Sequence, residues 1–441
     1  MKFSLMKKSI DFWNFRYLLI LAVLLIAGMI SLKKHSQPYQ VLRSPAEYEK
    51  QEALWFIWNP YDHKQGESNA RVVNQMIKIL LDSQRVVLSV ADSLVYHDAL
   101  NRLDSKLISH PNFSFAFVPS VQFWARDMGP VFVLLENGQL AIADFNFNLW
   151  GYSDQDDPYN LIEEAFDRKA ADYLDLPTIK SSIISEGGNR EINSQGVLLT
   201  VEAVEAERNP DLSLSDLEEE YKRVLGVKKT IWLKRGLKED EHTFLGPIET
   251  SEDFRAYTTI TTNGHIDEFA RFVNDSTILL AEVDSVQLSQ NDPIAKENHR
   301  RLEENYEILT NATDLDGEKF NILRMPMPDP IFIDMGPGDE VYEYIKTLDY
   351  KSDIEFPDGE QIKVVAAASY LNFIIANEVV LGQKYCRGEC SERDKELDKK
   401  VLKILERVFP DRTVHLIDAL AVNLGGGGIH CITVHQPLIQ Q

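Results

Sequence analysis

Apolar and polar positions change period repeatedly along this chain, and the changes predict a mixed fold. Short runs of β-branched and aromatic residues bounded by turn formers read as strands at 53–58 (ALWFIW), 85–90 (RVVLSV), 131–135 (VFVLL), 196–200 (GVLLT), 277–280 (TILL) and 379–381 (VVL). Between them, apolar residues recur at helical spacing over 69–83, 214–224 and 391–408, the last with Leu397, Val401, Ile404, Leu405 and Val408 near one face. The expected class is α/β with many short strands. From residue 41 to residue 441 no Pro/Gly/Ser-rich break interrupts the alternation, so no internal boundary is expected there. Charged, weakly periodic stretches at 236–258 and 286–308 read as solvated surface elaborations. No repeat is legible by identity.

The first 40 residues differ. A basic segment, 1–16, precedes an uncharged apolar run, 17–32 (YLLILAVLLIAGMISL), and a polar linker, 33–40, follows it. The run is short of the ~20 residues of a full span and lacks a small-x-small cleavage site, so it reads as an uncleaved signal anchor, with a cleaved signal peptide as the alternative. Lys2, Lys7, Lys8 and Arg16 outweigh Lys33 and Lys34, which puts the N-terminus in the cytoplasm and exports the body. The expectation is a membrane-anchored or exported protein with its main part outside the cytoplasm.

Composition narrows the function classes. The chain has 441 residues, 44% hydrophobic, ample for a large core, and length alone suggests two or three domains. Acidic residues outnumber basic ones 69 to 46, giving −23, which argues against a phosphate-neutralising nucleic-acid surface and favours a cationic ligand. Three cysteines are too few for a disulfide framework. Cys386 and Cys390, in Tyr-Cys-Arg-Gly-Glu-Cys, either pair in an oxidising compartment or stay as loop thiols, and zinc would need further ligands. No Gly-x-Gly-x-x-Gly after a strand, Gly-Lys-Ser/Thr loop or His-Glu-x-x-His helix supports nucleotide-dependent or zincin chemistry.

Candidate chemistry is concentrated near the C-terminus. Four glycines, 425–428, run into Ile429-His430-Cys431-Ile432-Thr433. Glycines in a row leave no side chain to pack and admit close approach to the backbone. A thiol directly after them, on a strand-like stretch at the edge of a flexible loop, suits a nucleophile; a glycine-rich turn with an ordinary buried cysteine is the structural alternative. His430 and His435 flank the thiol, but a metal reading lacks a carboxylate or second thiol nearby in sequence. Phe123-Trp124-Ala125-Arg126-Asp127-Met128-Gly129-Pro130 sets a charged pair between an aromatic and a Gly-Pro break, readable also as a loop ion pair. Ser185-Glu186-Gly187-Gly188-Asn189 places a carboxylate and an amide around two glycines, as a tight turn also would. Asn263-Gly264-His265-Ile266-Asp267 puts imidazole and carboxylate on one face if extended, unless His265 is a satisfied core histidine. Asn372, in Tyr370-Leu371-Asn372-Phe373, fits a structural amide equally well.

In order along the chain, these strings, together with Ser44-Pro45-Ala46-Glu47-Tyr48, Asp144-Phe145-Asn146-Phe147-Asn148-Leu149-Trp150-Gly151, Arg208-Asn209-Pro210 and Ser369-Tyr370-Leu371-Asn372, resemble the agmatine deiminase and bacterial peptidylarginine deiminase family, a guanidine-modifying branch of the pentein superfamily. The resemblance covers nearly everything after residue 43. It implies one catalytic domain, 41–441, folded as a five-bladed α/β propeller of ββαβ modules, which overrides the multi-domain expectation from length. It implies Cys431 as nucleophile, His265 as general acid/base, and Asp127 and Asp267 as the carboxylates that hold the guanidinium. Glu186, Asn189, Asn372, Arg126 and Trp124 are implied as substrate-binding or site-shaping residues, with no metal and no organic cofactor. A guanidinium is cationic and planar, so two fixed carboxylates bind it and hold its carbon near the sulfur. Many agmatine deiminases carry Trp-Pro and Trp-Gly-Gly where this chain has Trp58-Asn59-Pro60 and Trp150-Gly151-Tyr152, so the pocket for the distal end of the substrate is left open. The expected activity is hydrolysis of agmatine, with peptide or protein arginine as the alternative; an amidinotransferase and a non-catalytic guanidine-binding protein are the further readings. The oligomeric state stays open, a homo-oligomer included.

Overall fold

Six of the seven residues of Gln51–Ile57 are buried, as befits a strand covered on both faces. It pairs in parallel with Arg85–Val90, which pairs with Phe113–Phe117, and antiparallel with the C-terminal strand Thr433–Pro437, where Val434 lies opposite Trp55. That register brings the turn ahead of Thr433, and with it Cys431, beside the C-terminal end of Gln51–Ile57. The computed structural model describes residues 39–250, 254–351 and 354–439. Segments 1–16 and 17–32, and the linker up to residue 38, lie outside the described residues.

An antiparallel pair followed by a parallel third strand recurs in four more sheets. These are Val131–Leu135, Leu140–Asn146 and Thr178–Ile184; Glu191–Ile192, Val197–Val201 and Lys229–Leu233; Ala270–Asn274, Thr277–Glu282 and Asn321–Pro326; and Ile374–Ile375, Val379–Lys384 and Thr413–Asp418. Each parallel partner is reached over a helix-bearing crossover, because parallel strands cannot be joined by a tight turn. The crossover helices are Asn69–Leu80, Phe166–Leu174, Leu214–Leu225, Pro293–Asn311 and Glu392–Val408. A sixth sheet, in the order Ile248–Glu249, Arg255–Thr258, Ile362–Val365, Phe332–Met335, keeps the antiparallel pair and parallel neighbour but adds an antiparallel fourth strand and draws on two distant stretches of chain. Residues Val41–Gln441 cluster as one unit.

Local chemistry sets the helix limits. Ser68 caps Asn69–Leu80 through the Arg71 N–H, while Ser213 with Asp216 and Ser391 with Asp394 form capping boxes, satisfying donors that have no intrahelical partner. Val72, Val73, Met76, Ile77 and Leu80 form the buried stripe of the first of these helices. The six strands and three helices predicted from the periodicity are all present, with ends within three residues of expectation.

Two expectations are corrected. Segment 286–308 is no solvated elaboration: Pro293–Asn311 buries Ile294, Ala295, Leu302 and Leu309. Its weak apolar period arises because Asn298, Arg301 and Asn305 are buried too, with Asn305 accepting the Lys234 N–H and Asn298 the Lys238 N–H. Segment 236–258 likewise buries Glu239, Asp240, His242 and Thr243 and supplies strands of the sixth sheet. Among the described residues no helix is long and apolar enough to cross a membrane.

Candidate active site

The four glycines are a packing requirement. A Cβ on Gly428 would fall 2.3 Å from Asn372 Oδ1, which accepts the His430 N–H at 2.8 Å. Cys431 therefore sits in a tight turn held by Asn372, and the strand begins only at Thr433, so the thiol is not on the strand-like stretch expected for it. The thiol is 6% exposed, so the flexible loop edge expected for it is also corrected. The Arg126 N–H donates to the Cys431 carbonyl at 3.0 Å, joining the thiol segment to the short helix Ala125–Met128 that carries Asp127.

Around Cys431 Sγ the structure gathers residues from five regions. Asn372 Nδ2 donates to the sulfur at 3.1 Å and to Glu268 Oε1 at 2.9 Å; Asp267 Oδ2 and Glu268 Oε1 lie 3.6 and 3.7 Å from the sulfur. His265 stands between Asp127 and Glu186, with Nδ1 3.7 Å from Asp127 Oδ1 and Nε2 3.5 Å from Glu186 Oε2. Residues 266–268 form a 3-10 turn, so His265 and Asp267 reach one site without the extended backbone expected of them. Gly188 lets this converge: a Cβ there would lie 2.5 Å from His265 Nδ1, and its N–H donates to Asp127 Oδ1 at 2.8 Å. The other Asp127 oxygen accepts Trp150 Nε1–H at 2.8 Å. Leu149 and Trp150 both hold positive φ, 49° and 56°, a conformation costing ~1–3 kcal/mol per residue and concentrated at functional sites.

Burial and charge set the protonation states. Burial pushes the Cys431 thiol well above its usual range, and Asp267, Glu268 and Asp127 push it further. Burial alone would lower His265, but Asp127 and Glu186 outweigh it and raise it to about 9. Burial works upward on Glu186, yet Arg208, donating from Nε at 2.7 Å, and His265 hold it at about 2. Asp127 is raised by burial, with Asp267 and Glu186 adding to the effect and His265 opposing it. Asp267 stays below its usual value because its bond to His430 overcomes burial. Burial raises Glu268 well above normal and Asp240 to about 8. The site thus combines a neutral thiol, an imidazolium and excess carboxylate. Among the described residues Asp267 Oδ1 is buried without a hydrogen-bond partner, while Glu186 Oε2 and His265 Nε2 face only each other at 3.5 Å. A planar donor such as a guanidinium satisfies such an oxygen.

A model of the Porphyromonas-type peptidyl-arginine deiminase family matches residues 43–437. The chain belongs to this family. The agmatine deiminase of Medicago truncatula is 28% identical over 417 residues, covering 90% of this chain and 96% of that one. The agmatine deiminase of Pseudomonas putida is 28% identical over 407 residues, covering 89% and 95%. The solved agmatine deiminase of Enterococcus faecalis has a TM-score of 0.69 to this fold at 23% identity, covering 90% of this chain and 96% of that chain.

Within this member of the family, Cys431, His265, Asp127, Asp267, Glu186 and Asn372 converge. Trp124 reaches the same place, since a Cβ on Gly427 would touch both its ring and Cys431 Sγ. Asn189 and Arg126 are placed differently from expectation. Asn189 Nδ2 donates to Glu205 and Thr200, and Arg126 is taken up by Glu47 Oε1 at 2.6 Å and His435 Nδ1 at 2.9 Å. Sequence reasoning missed Glu268, Trp150, Asp240 and the pair His430–Glu47. The carboxylate absent from the neighbourhood of His430 in sequence comes from residue 47: His430 bridges Asp267 Oδ2 and Glu47 Oε1, each at 2.7 Å. Glu47, Glu191 and His430, and separately Asp267, Glu268 and Cys431, are close enough to share a cation, but Arg271 already pairs with Glu47 and Glu191. A cavity of about 420 Å³ adjoins Trp124 and Trp150, and Tyr152, where the sequence departs from Trp-Gly-Gly, lies in its wall with its hydroxyl 3.2 Å from Thr243 Oγ1.

Proposed function

We propose that this protein is a guanidine deiminase that hydrolyses agmatine to a ureido amine and ammonia. The observation that carries the reading is the buried Cys431 thiol, its sulfur 3.6 Å from Asp267, with His265 held as an imidazolium beside Asp127. An arriving guanidinium supplies the positive charge that carboxylate-crowded Cys431 lacks, so the thiol releases its proton to solvent and the thiolate forms as substrate binds. Asp127 and Asp267 hold the guanidinium nitrogens, and the sulfur adds to the central carbon. His265 protonates the departing nitrogen, and ammonia leaves. The imidazole then takes a proton from water, whose oxygen adds to the thiouronium carbon; sulfur leaves as thiolate, and the proton shed by the ureido product restores the thiol. Arg126 and Asn189 brace the frame, Glu186 and Asn372 orient His265 and the thiol, and Trp124 walls the site.

The aromatic cavity supports agmatine over free arginine, because neither Lys nor Arg lines it to receive an α-carboxylate. Deimination of peptide-borne arginine is the second reading, favoured by the family description and by an exported body. The basic-flanked apolar run 17–32 supports that export, as does the Cys386–Cys390 disulfide, since such bonds persist in oxidising compartments. The five like sheets support a reading as five blades of ββαβ modules.

The test is ureido formation from agmatine, free arginine and an arginine-containing peptide, with Cys431→Ala alongside. Agmatine turnover absent from the variant is expected. Silence on all three, with no ammonia, would sink the proposal and favour amidino transfer or binding alone.

A further inference from the structure

The cavity beside Trp124 and Trp150 has a wall that guanidine chemistry leaves unused. Glu340, Val341 and Tyr344 belong to that wall, all on the helix Glu340–Ile345, which follows strand Phe332–Met335 of the sixth sheet. The strands of this sheet come from two stretches of chain that enclose another sheet, and the helix lies between its last two strands.

Three carboxylates line the cavity, and two are engaged within their own walls. Asp157 caps a helix, accepting the N–H groups of Tyr159 at 2.8 Å and Asn160 at 3.3 Å. Glu163 accepts the Ser120 hydroxyl at 2.6 Å and the Val121 N–H at 2.7 Å. Glu340 is an exposed residue, and its carboxylate makes no hydrogen bond or ion pair among the described residues. Desolvation raises its carboxyl above the ordinary range and Asp62 adds to this, so a nearby cation would relieve both effects. Neither Lys nor Arg lines the cavity, and burial lowers His63 to about 4, leaving it neutral. Aromatic faces beside a free carboxylate attract an ammonium by charge and by cation–π contact.

The geometry points to a second-cation subsite at Glu340, which takes the ammonium end of a guanidino-alkylamine while the guanidinium end lies at Cys431. This assignment rests on the deiminase reading and adds to it the residue that sets preference at the far end. A guanidino acid is disfavoured there by repulsion from Glu340.

The experiment compares kcat/KM for agmatine and for pentylguanidine, in which a methyl replaces the ammonium, in the full chain and in Glu340→Gln. The expected result is a loss of roughly tenfold for agmatine, the size of one charged hydrogen bond, with pentylguanidine changed less than twofold. The unchanged pentylguanidine rate reports an intact fold and catalytic centre. Glu340→Lys is expected to invert the preference toward 5-guanidinopentanoate over agmatine. An equal change for both substrates in Glu340→Gln, or no change for either, overturns the subsite while the deiminase reading stands. No turnover of either guanidine by the unsubstituted protein overturns that reading and the subsite with it.

Discussion

His265 lies 3.7 Å from Asp127 and 3.5 Å from Glu186, and their charges raise it to about 9 despite burial. It is therefore protonated through the neutral range and able to act as the acid. kcat/KM is expected to fall as pH rises through about 9, read from a pH–rate profile; a flat profile there would show another group gives the proton. The sign for stability agrees: a raised histidine contributes fully below its unfolded value, ~6.5, and the contribution is lost between there and about 9. Replacing it by Ala should cost on the order of 10²–10⁴ in turnover. His430 acts through Asp267. The hydrogen bond it makes is the largest influence keeping that carboxylate ionised against burial. His430→Gln should therefore raise the Asp267 value and move the acid limb of kcat/KM to higher pH, with kcat reduced roughly tenfold; an acid limb left in place would reduce His430 to a packing residue.

At the level of elements, the glycine run and the segments it touches act as one unit. Gly428→Ala forces a Cβ against Asn372 Oδ1, while the same amide donates to the sulfur and to Glu268. Overpacking of this kind costs ~1–3 kcal/mol, and a shift of the sulfur by even ~1 Å costs about 10² in rate. The variant should thus melt only a little lower while losing most activity, measured by thermal unfolding beside steady-state kinetics. Regular elements with clean periods were legible in the sequence, such as Arg85–Val90 and Leu214–Leu225. Irregular ones were not. The Cys431 turn reads as a strand because Ile429, Ile432 and Thr433 are β-branched, whereas the turn depends on an Asn372 contact 59 residues away along the chain. Glu268 escaped notice because alternation assigns adjacent residues to opposite faces, a rule that the 3-10 turn at 266–268 does not obey.

For the whole molecule, the recurring sheet shows why site residues spread from 124 to 431 meet: successive sheets deliver their connecting turns to one place. That recurrence lies in strand direction and is invisible in residue identity. Charge is legible from composition alone. The chain carries −23 overall, and its first 38 residues are net basic, so the body is more acidic than the total. A field of this sign raises the encounter rate of cations, and salt screens it, the Debye length falling from ~30 Å at 0.01 M to ~8 Å at 0.15 M. Contacts inside the buried site are screened much less, because Asp127, Asp267 and His265 are hidden from solvent. Raising salt over that range should therefore lower kcat/KM for agmatine severalfold and leave kcat nearly unchanged, with the effect on pentylguanidine smaller because it carries one positive charge fewer. A fall in kcat itself would place the salt-sensitive interaction in the reacting complex, against the view that the acidic surface serves only to gather the substrate.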